Sequence, residues 1–187
     1  SFKEYKIMKI IVLAGGLSTE RDVSLSSAAG ICRTLVEKGH DAFLLDVFMG
    51  LENAPENLED VFTLPDHGLE IVKNISTEEP DLEAVKASRP DQSDCFFGPN
   101  VIELCRLADI TFLGLHGGEG ENGKLQASFD LLGIRYTGPD SLGCAVAMDK
   151  GLTKQIFMEA GVDTPSGVCL SWMCGCNAQR CCKADLP

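Results

Sequence analysis

Continuous apolar runs alternate with amphipathic stretches along most of the chain. The runs KIIVLA, from Lys9, and DAFLLDV, from Asp41, are typical of strands covered on both faces, because half-exposed strands alternate apolar with polar residues. Between them, apolar residues recur at helical spacing from Val23 to Leu35, and Gly39 is suited to end that helix. The pattern predicts a right-handed βαβ unit with two parallel strands.

The alternation returns after a weakly patterned stretch from residue 50 to residue 94, where Pro, Asp, Glu and Asn are frequent. We expect exposed loop there, with a short helix near residues 82–87. Pro99 then suits the first turn of a helix, DITFLGL predicts a third strand, and KLQASFDLLG predicts an amphipathic helix that Gly133 ends. A brief strand, IRYTG, and one or two helices ending at Gly161 follow. The predicted buried stripe of these last helices comprises Leu142, Ala145, Val146, Met148, Leu152, Ile156 and Phe157.

Taken together, these elements predict an α/β fold with an open parallel sheet flanked by helices, which is a Rossmann-like arrangement. The 187 residues suffice for one principal domain with a small appendage. We expect residues 1–8 to be an N-terminal extension and residues 9–140 to form the domain.

Composition narrows the classes of partner. The chain carries a formal net charge of −12, whereas nucleic acids and anionic membranes bind clustered Lys and Arg, so neither is an expected partner. No apolar run approaches the roughly 18 residues of a membrane-spanning helix, and the first apolar run is too short and too rich in glycine for a signal peptide. We therefore expect a cytoplasmic protein.

The nine cysteines are odd in number and unevenly distributed, which argues against a disulfide framework. Cys32, Cys95, Cys105 and Cys144 lie among apolar neighbours, so we expect them to be small buried hydrophobic residues. The other five crowd the last nineteen residues, where a thiolate metal site is one interpretation, although the usual C-x2-C pairing is missing. These five are Cys169, Cys174, Cys176, Cys181 and Cys182.

Two strand-end loops carry the residues best suited to chemistry. GGLSTERD follows the first strand, HGGEGENG follows the third, and ligands of open α/β sheets bind beyond the carboxyl ends of the strands. The backbone N–H groups that follow Gly15 and Gly16 favour the binding of an anion, because they lie at the start of a helix. Glu20 competes with a phosphate there but suits a ligand with both ammonium and carboxylate groups, such as an amino acid. His116 lies in the second loop, which we expect to face the same crevice.

Other interpretations of these loops stay open. Gly118, Gly120 and Gly123 fit a dinucleotide-binding G-x-G-x-x-G pattern, but Glu119 and Glu121 would lie against a pyrophosphate. No Walker-type phosphate loop or H-E-x-x-H motif occurs, so we expect neither that class of NTPase nor a metal site in the domain. Each loop could also be a plain tight connection, with Glu20 serving the helix dipole and the histidine a structural role.

Four segments resemble D-alanine–D-alanine ligases: AGGLSTERDVSLSSA from Ala14, HGGEGENGKLQA from His116, YTGPDSLGCAVAMDK from Tyr136, and the later AGVDTP. The resemblance runs from Lys9 to about Leu170. It implies that residues 9–140 are the Rossmann-like, substrate-binding domain that precedes an ATP-grasp fold, and that residues 141–170 are the incomplete start of the ATP-grasp central domain. The activity implied is a cytoplasmic ligase of peptidoglycan precursor synthesis, which joins two D-alanines with ATP and Mg²⁺ through a D-alanyl phosphate.

The resemblance also implies roles for individual residues. Glu20 and His116 match catalytic positions, the glutamate holding the ammonium of the first substrate and the histidine lying near the reacting carboxylate. Glu121 matches an acidic loop residue that supports the closed site, and Lys150 matches a lysine that reaches the ATP phosphates. The substrate-binding set is Gly15, Gly16, Ser18, Val23, Ser24, Gly117 and Glu121.

The end of the chain departs from the family pattern. The glycine-rich loop, the second phosphate lysine, the arginine and the acidic Mg²⁺ ligands that the family uses have no match before Pro187. Residues 171–187 form an aberrant Cys-rich tail, which we interpret as the out-of-frame product of a disrupted reading frame. We therefore expect a truncated ligase that is inactive alone; the alternatives are a non-catalytic small-molecule or partner-binding domain and a nicotinamide-binding oxidoreductase. A homodimer is compatible with the sequence.

Overall fold

The sheet is built from three parallel strands in the order β2-β1-β3 within the part of the chain that the structure, a computed structural model, describes: residues 6–73, 75, 79–165 and 167. The strands are β1 (Lys9–Ala14), β2 (Asp41–Asp46) and β3 (Ile110–Leu113). The central strand β1 places Ile10 opposite Ala42 on one side and Ile110 on the other. The predicted α/β class with a parallel sheet is confirmed.

Helices connect and cover these strands. Those of the described residues are α1 (Arg21–Glu37), α2 (Leu82–Ser88), α3 (Val101–Leu107), α4 (Gly118–Glu121), α5 (Lys124–Leu132), α6 (Ser141–Met148) and α7 (Lys150–Glu159), with 3-10 turns at Leu58–Thr63 and Leu69–Val72. The helix ends predicted from glycines are confirmed, since Gly39, Gly133 and Gly161 follow α1, α5 and α7 in the left-handed conformation.

Alternate residues of β1 pack into two separate cores. On one face, Ile10 and Val12 pack with Ala28 of α1. On the other face, Ile11 packs with Phe129 of α5 and with residues of α3. Both faces of the strand are therefore covered, as its unbroken apolar run predicts.

The stretch from residue 50 to residue 94 contains more structure than predicted. Helix α2 agrees with the helix expected near residues 82–87, but the rest is not simply exposed loop. Val61 and Phe62 of the first 3-10 turn are buried in the core, and so is the side chain of Arg89. The Arg89 guanidinium donates to the carbonyls of Cys95 and Phe97 at 2.5 and 3.2 Å, and its Nη2 donates to Asp91 Oδ2 at 3.0 Å, so the buried charge has a counterion as well as neutral acceptors. Short 3-10 turns and a single buried arginine leave no periodic pattern to detect.

Two further predictions are wrong. Cys95 is exposed, because its backbone carbonyl is turned inward toward Arg89 and its thiol is not. The segment IRYTG forms only a single bridge, between Thr111 and Tyr136, and is not a full strand.

The apolar stripe predicted to be buried on α6 and α7 is instead exposed. Leu142 is 70% exposed, and Met148, Leu152, Ile156 and Phe157 are 41–43% exposed. Helix α6 packs against α4, α5 and α7, and within it only Cys144 is buried. Helical spacing shows that a face is apolar, but it does not show that a neighbouring element covers that face.

The two ends of the sequence are described only in part. Residues 1–5 of the predicted extension and the five clustered cysteines lie outside the described residues, so the interpretations of both segments stay predictions. Met8 already belongs to the sheet edge, because its N–H donates to His40 Nδ1 at 3.3 Å and its carbonyl accepts from Asp41 at 3.0 Å. In the described part of the chain, no helix combines the length and the apolar character needed to cross a bilayer.

Cysteine labelling tests this packing. Burial raises the pKa of Cys32 to about 11 and that of Cys105 to about 12, whereas Cys95 is exposed. Because the thiolate is the reactive form, a thiol reagent at pH 8 should modify Cys95 at least about 100-fold faster than Cys105 in the native protein. Peptide mapping by mass spectrometry measures both rates, and guanidinium should abolish the difference. Equal native rates would contradict the buried position of Cys105.

Candidate functional site

The turn after β1 is shaped by two glycines and a buried serine. Gly15 and Gly16 have φ angles of 74° and 85°, and a Cβ on Gly15 would lie 2.6 Å from the carboxyl carbon of Asp46. The Gly15 N–H donates to Ser24 Oγ at 3.0 Å, and that hydroxyl donates to the Gly114 carbonyl at 2.8 Å. Ser24 of α1 therefore bonds to the turn after β1 and to the end of β3 at once.

A buried ion pair supports the same turn. Arg21 Nη2 pairs with Asp46 Oδ2, and Arg21 Nη1 donates to the Gly16 carbonyl at 2.8 Å. The other Asp46 oxygen accepts from the N–H groups of Phe48 and Met49 at 2.9 and 3.2 Å, and from Gly16 at 3.4 Å. Sequence reasoning missed both charged residues. The available signal was an aspartate closing an otherwise apolar strand, since a buried carboxylate requires a cation or several N–H donors.

The turn after β3 contains the short helix α4. Gly117 has φ 68° and ψ 177°, a conformation that is essentially restricted to glycine, and it leads directly from His116 into that helix. Gln126 of α5 donates from Nε2 to the Gly120 carbonyl at 2.9 Å, and this hydrogen bond ties α4 to α5. The dense glycine pattern thus reflects backbone geometry that other residues could not adopt without strain.

The two turns meet at one edge of the sheet. Ser18 Oγ donates to the His116 carbonyl at 2.7 Å, and a Cβ on Gly117 would lie 2.6 Å from Glu20 Oε2. Ser27 Oγ lies 3.2 Å from His116 Nε2. The structure therefore brings Glu20 and His116 together, as the topology argument predicted. Glu20 precedes α1 without making a side-chain capping bond, so its carboxylate is available to a ligand.

Two other candidates lie beside this pair. Glu121 Oε1 is 4.0 Å from His116 Nδ1, and both side chains are a little under half exposed. Val23 is 61% exposed on α1, so it belongs to the surface near the crevice and not to the helix's buried face. An open groove of about 960 Å³ lies along α1, where Val23 and Ser27 line it, and its other wall includes Val72 and Pro80; Glu20 and His116 are not among its lining residues.

Two acidic side chains, Asp140 and Glu121, lie near Cys144 of α6. Burial and the charges of Asp140 and Glu121 raise the pKa of the Cys144 thiol, which therefore stays protonated at neutral pH. The contacts of α6 with α4 place this helix next to the His116 turn. Cys144 therefore adds no charge there.

The structure does not join Lys150 to this cluster by any described contact. It occupies the first position of α7, directly after Asp149, whose side chain accepts from Leu152 N–H at 2.9 Å and caps the helix. Helix α6 lies between α7 and the His116 turn. The described residues contain no cluster of three or more His, Cys, Asp or Glu side chains that could hold a metal ion.

Comparison with known proteins identifies the fold that carries this geometry. Residues 9–139 match the family model described as the D-ala D-ala ligase N-terminus. The chain belongs to this family. The resemblance inferred from the two glycine-rich loops is therefore confirmed, while the roles of single residues stay predictions.

Curated relatives within the family are longer than this chain. The D-alanine–D-alanine ligase of Lacticaseibacillus casei strain BL23 is 44% identical over 157 residues, covering 84% of this chain and 43% of the relative. The enzyme of the same name from Pediococcus pentosaceus is 47% identical over 162 residues, covering 84% and 44%. The chain thus spans about two fifths of the length of these relatives.

Solved structures agree on the fold. The D-alanine–D-alanine ligase of Bacillus anthracis, solved in complex with ATP, aligns with a TM-score of 0.53 at 22% identity, covering 87% of this chain and 38% of that protein. The enzyme from Coxiella burnetii aligns with a TM-score of 0.50 at 26% identity, covering 86% and 44%. These similarities support the arrangement of elements described above.

Removal of the Arg21 charge should destabilise the domain. Arg21→Leu leaves the Asp46 carboxylate buried without its cation, so we expect the free energy of unfolding to fall by about 3–5 kcal/mol. Arg33→Leu is the matched control, because Arg33 is exposed on the same helix and should change stability by less than about 0.5 kcal/mol. Urea unfolding followed by circular dichroism measures both. Equal losses in the two variants would contradict the role assigned to the ion pair.

Proposed function

We propose that this chain is the amino-acid-binding part of a D-alanine–D-alanine ligase, a cytoplasmic enzyme of peptidoglycan precursor synthesis that joins two D-alanines through a D-alanyl phosphate. The observation that carries the proposal is the meeting of two strand-end turns that brings Glu20 and His116 to one edge of the sheet. Family membership and the names of the relatives support the same substrate.

Glu20 and His116 would hold opposite ends of the first D-alanine. The Glu20 carboxylate is exposed and makes no capping bond, so it can accept from an ammonium group. His116 lies next to Gly117, beside which Glu20 is placed, and its ring, when it carries a hydrogen on both nitrogens, can donate from Nδ1 to a carboxylate. Phosphorylation of that carboxylate brings anionic groups together, and donors positioned in advance reduce the cost of their repulsion.

The remaining candidates in the two turns would act mainly by shaping this crevice. Ser24 is fully buried and uses its hydroxyl as both acceptor and donor, so it holds the turns together and does not reach the ligand. Ser18 supports the His116 backbone in the same way. The backbone has positive φ angles at the three glycines of the set, Gly15, Gly16 and Gly117. The side chains of the other two members, Val23 and Glu121, are accessible at the surface.

ATP and Mg²⁺ are the cofactors that the family reaction implies. Lys150 is exposed at the start of α7, where an ammonium group could contact a nucleotide phosphate. No residue of the described part of the chain is assigned to Mg²⁺, since no cluster of three or more metal-ligating side chains occurs there. We infer that the rest of the nucleotide site belongs to the part of the relatives that this chain does not span. A homodimer also stays a prediction.

D-alanine binding by the chain itself tests the proposal. We expect saturable chemical-shift changes at the amides of His116 and Gly117 when D-alanine is titrated into the ¹⁵N-labelled protein. Glu20→Gln should weaken binding about tenfold, because a charge-assisted hydrogen bond to the ammonium group is lost. Glu37→Gln is the matched control, since Glu37 is exposed at the opposite end of α1. The absence of saturable binding, or equal affinities for the two variants, would overturn the proposal.

A further inference from the structure

Ser27 makes two contacts that the sequence motifs did not single out. Its Oγ lies 3.1 Å from the Ser24 carbonyl, one turn earlier in α1, and 3.2 Å from Nε2 of the His116 ring. The helix that carries it is fixed against the sheet, because its neighbours Ala28 and Ala29 are buried. The hydroxyl is therefore presented to the imidazole by a rigid element.

The direction of the two hydrogen bonds follows from their partners. A serine hydroxyl has a single hydrogen, and the Ser24 carbonyl can only accept one. When Ser27 donates to that carbonyl, its oxygen is left to accept from His116, so Nε2 must carry the ring hydrogen. The opposite arrangement, in which Ser27 donates to Nε2, loses the bond to Ser24. The Nδ1–H of that arrangement gains no hydrogen bond in return, because Nδ1 and Glu121 Oε1 are 4.0 Å apart.

We propose that Ser27 is a positioning residue for His116, which holds the neutral ring as the Nε2–H tautomer and leaves the lone pair of Nδ1 facing Glu121. Ser18 fixes the backbone of His116 and Ser27 fixes its ring, so both ends of the residue are tied to α1 and the turn before it. The tautomer of His116 follows from this geometry. The interaction of the His116 ring with the carboxylate of D-alanine rests on the proposed function.

The other two histidines of the chain provide internal references. His40 Nδ1 accepts from the Met8 N–H at 3.3 Å, so the neutral ring of His40 carries its hydrogen on Nε2. His67 Nδ1 lies 3.1 Å from the Ala42 carbonyl, which can only accept, so that ring carries its hydrogen on Nδ1. One protein therefore contains a standard for each tautomer.

Long-range ¹H–¹⁵N correlation spectra of the labelled protein, recorded without D-alanine at a pH where the rings are neutral, test the proposal. We expect the His116 pattern to match that of His40 and to be opposite to that of His67. Ser27→Ala should shift both His116 nitrogen signals toward the average of the two tautomers, and Ser27→Thr should restore the original pattern because it keeps the hydroxyl. Ser26→Ala is the control, since Ser26 is an exposed neighbour on α1.

The outcomes separate this proposal from the previous one. A His116 pattern like that of His67, or a Ser27→Ala spectrum identical to that of Ser26→Ala, would overturn the role of Ser27. Unchanged His40 and His67 signals in each variant show that the fold is intact. Because no ligand is present, failure of D-alanine binding would leave the tautomer result standing, and loss of the tautomer would leave D-alanine binding to be judged separately.

Discussion

A buried pair of opposite charges, Arg21 and Asp46, supports the turn after β1, at the edge of the sheet where the candidate residues lie. Neither charge could remain inside the protein without the other, since the cost of desolvating each ion is offset only by its partner and by the surrounding N–H donors. Asp46 ends β2 and Arg21 begins α1, so the pair fixes where the helix starts relative to the sheet. The position of Glu20, directly before Arg21, follows from this constraint.

The second level of organisation consists of hydroxyl groups that link this helix to the neighbouring strand. Ser24 reaches the end of β3, Ser18 reaches the backbone of His116, and Ser27 reaches its ring. Residues distant in sequence are thus held in one geometry by three short side chains with few rotamers. The remaining polar groups at the crevice, Glu20 and Glu121, are left exposed for interaction with a ligand.

The sequence predicts the parts of this arrangement that depend on local patterns. Unbroken apolar runs define β1 and β2, and glycines mark the ends of α1 and α5, because buried strands and left-handed caps impose strong local preferences. Non-local features escape such reasoning. Three such features depend on which elements pack together: the pairing of Arg21 with Asp46, the burial of Arg89 and the 3-10 turn that buries Phe62. The exposed stripe of α6 and α7 shows in addition that helical periodicity cannot identify the element that would cover an apolar face. The candidate site was predictable as a pair of loops, and the family resemblance singled out Ser18 and Ser24, but neither the contacts by which they align the loops nor the part of Ser27 could be predicted.

Ser24 has a consequence for how a ligand could enter. Because one fully buried hydroxyl bonds to both strand-end turns, those turns form a preorganised floor that cannot part without leaving polar groups unsatisfied in the interior. A small molecule would then meet a surface whose shape is set before it arrives, and entry would not require the two turns to separate. This rigid base would set the orientation in which the molecule is received.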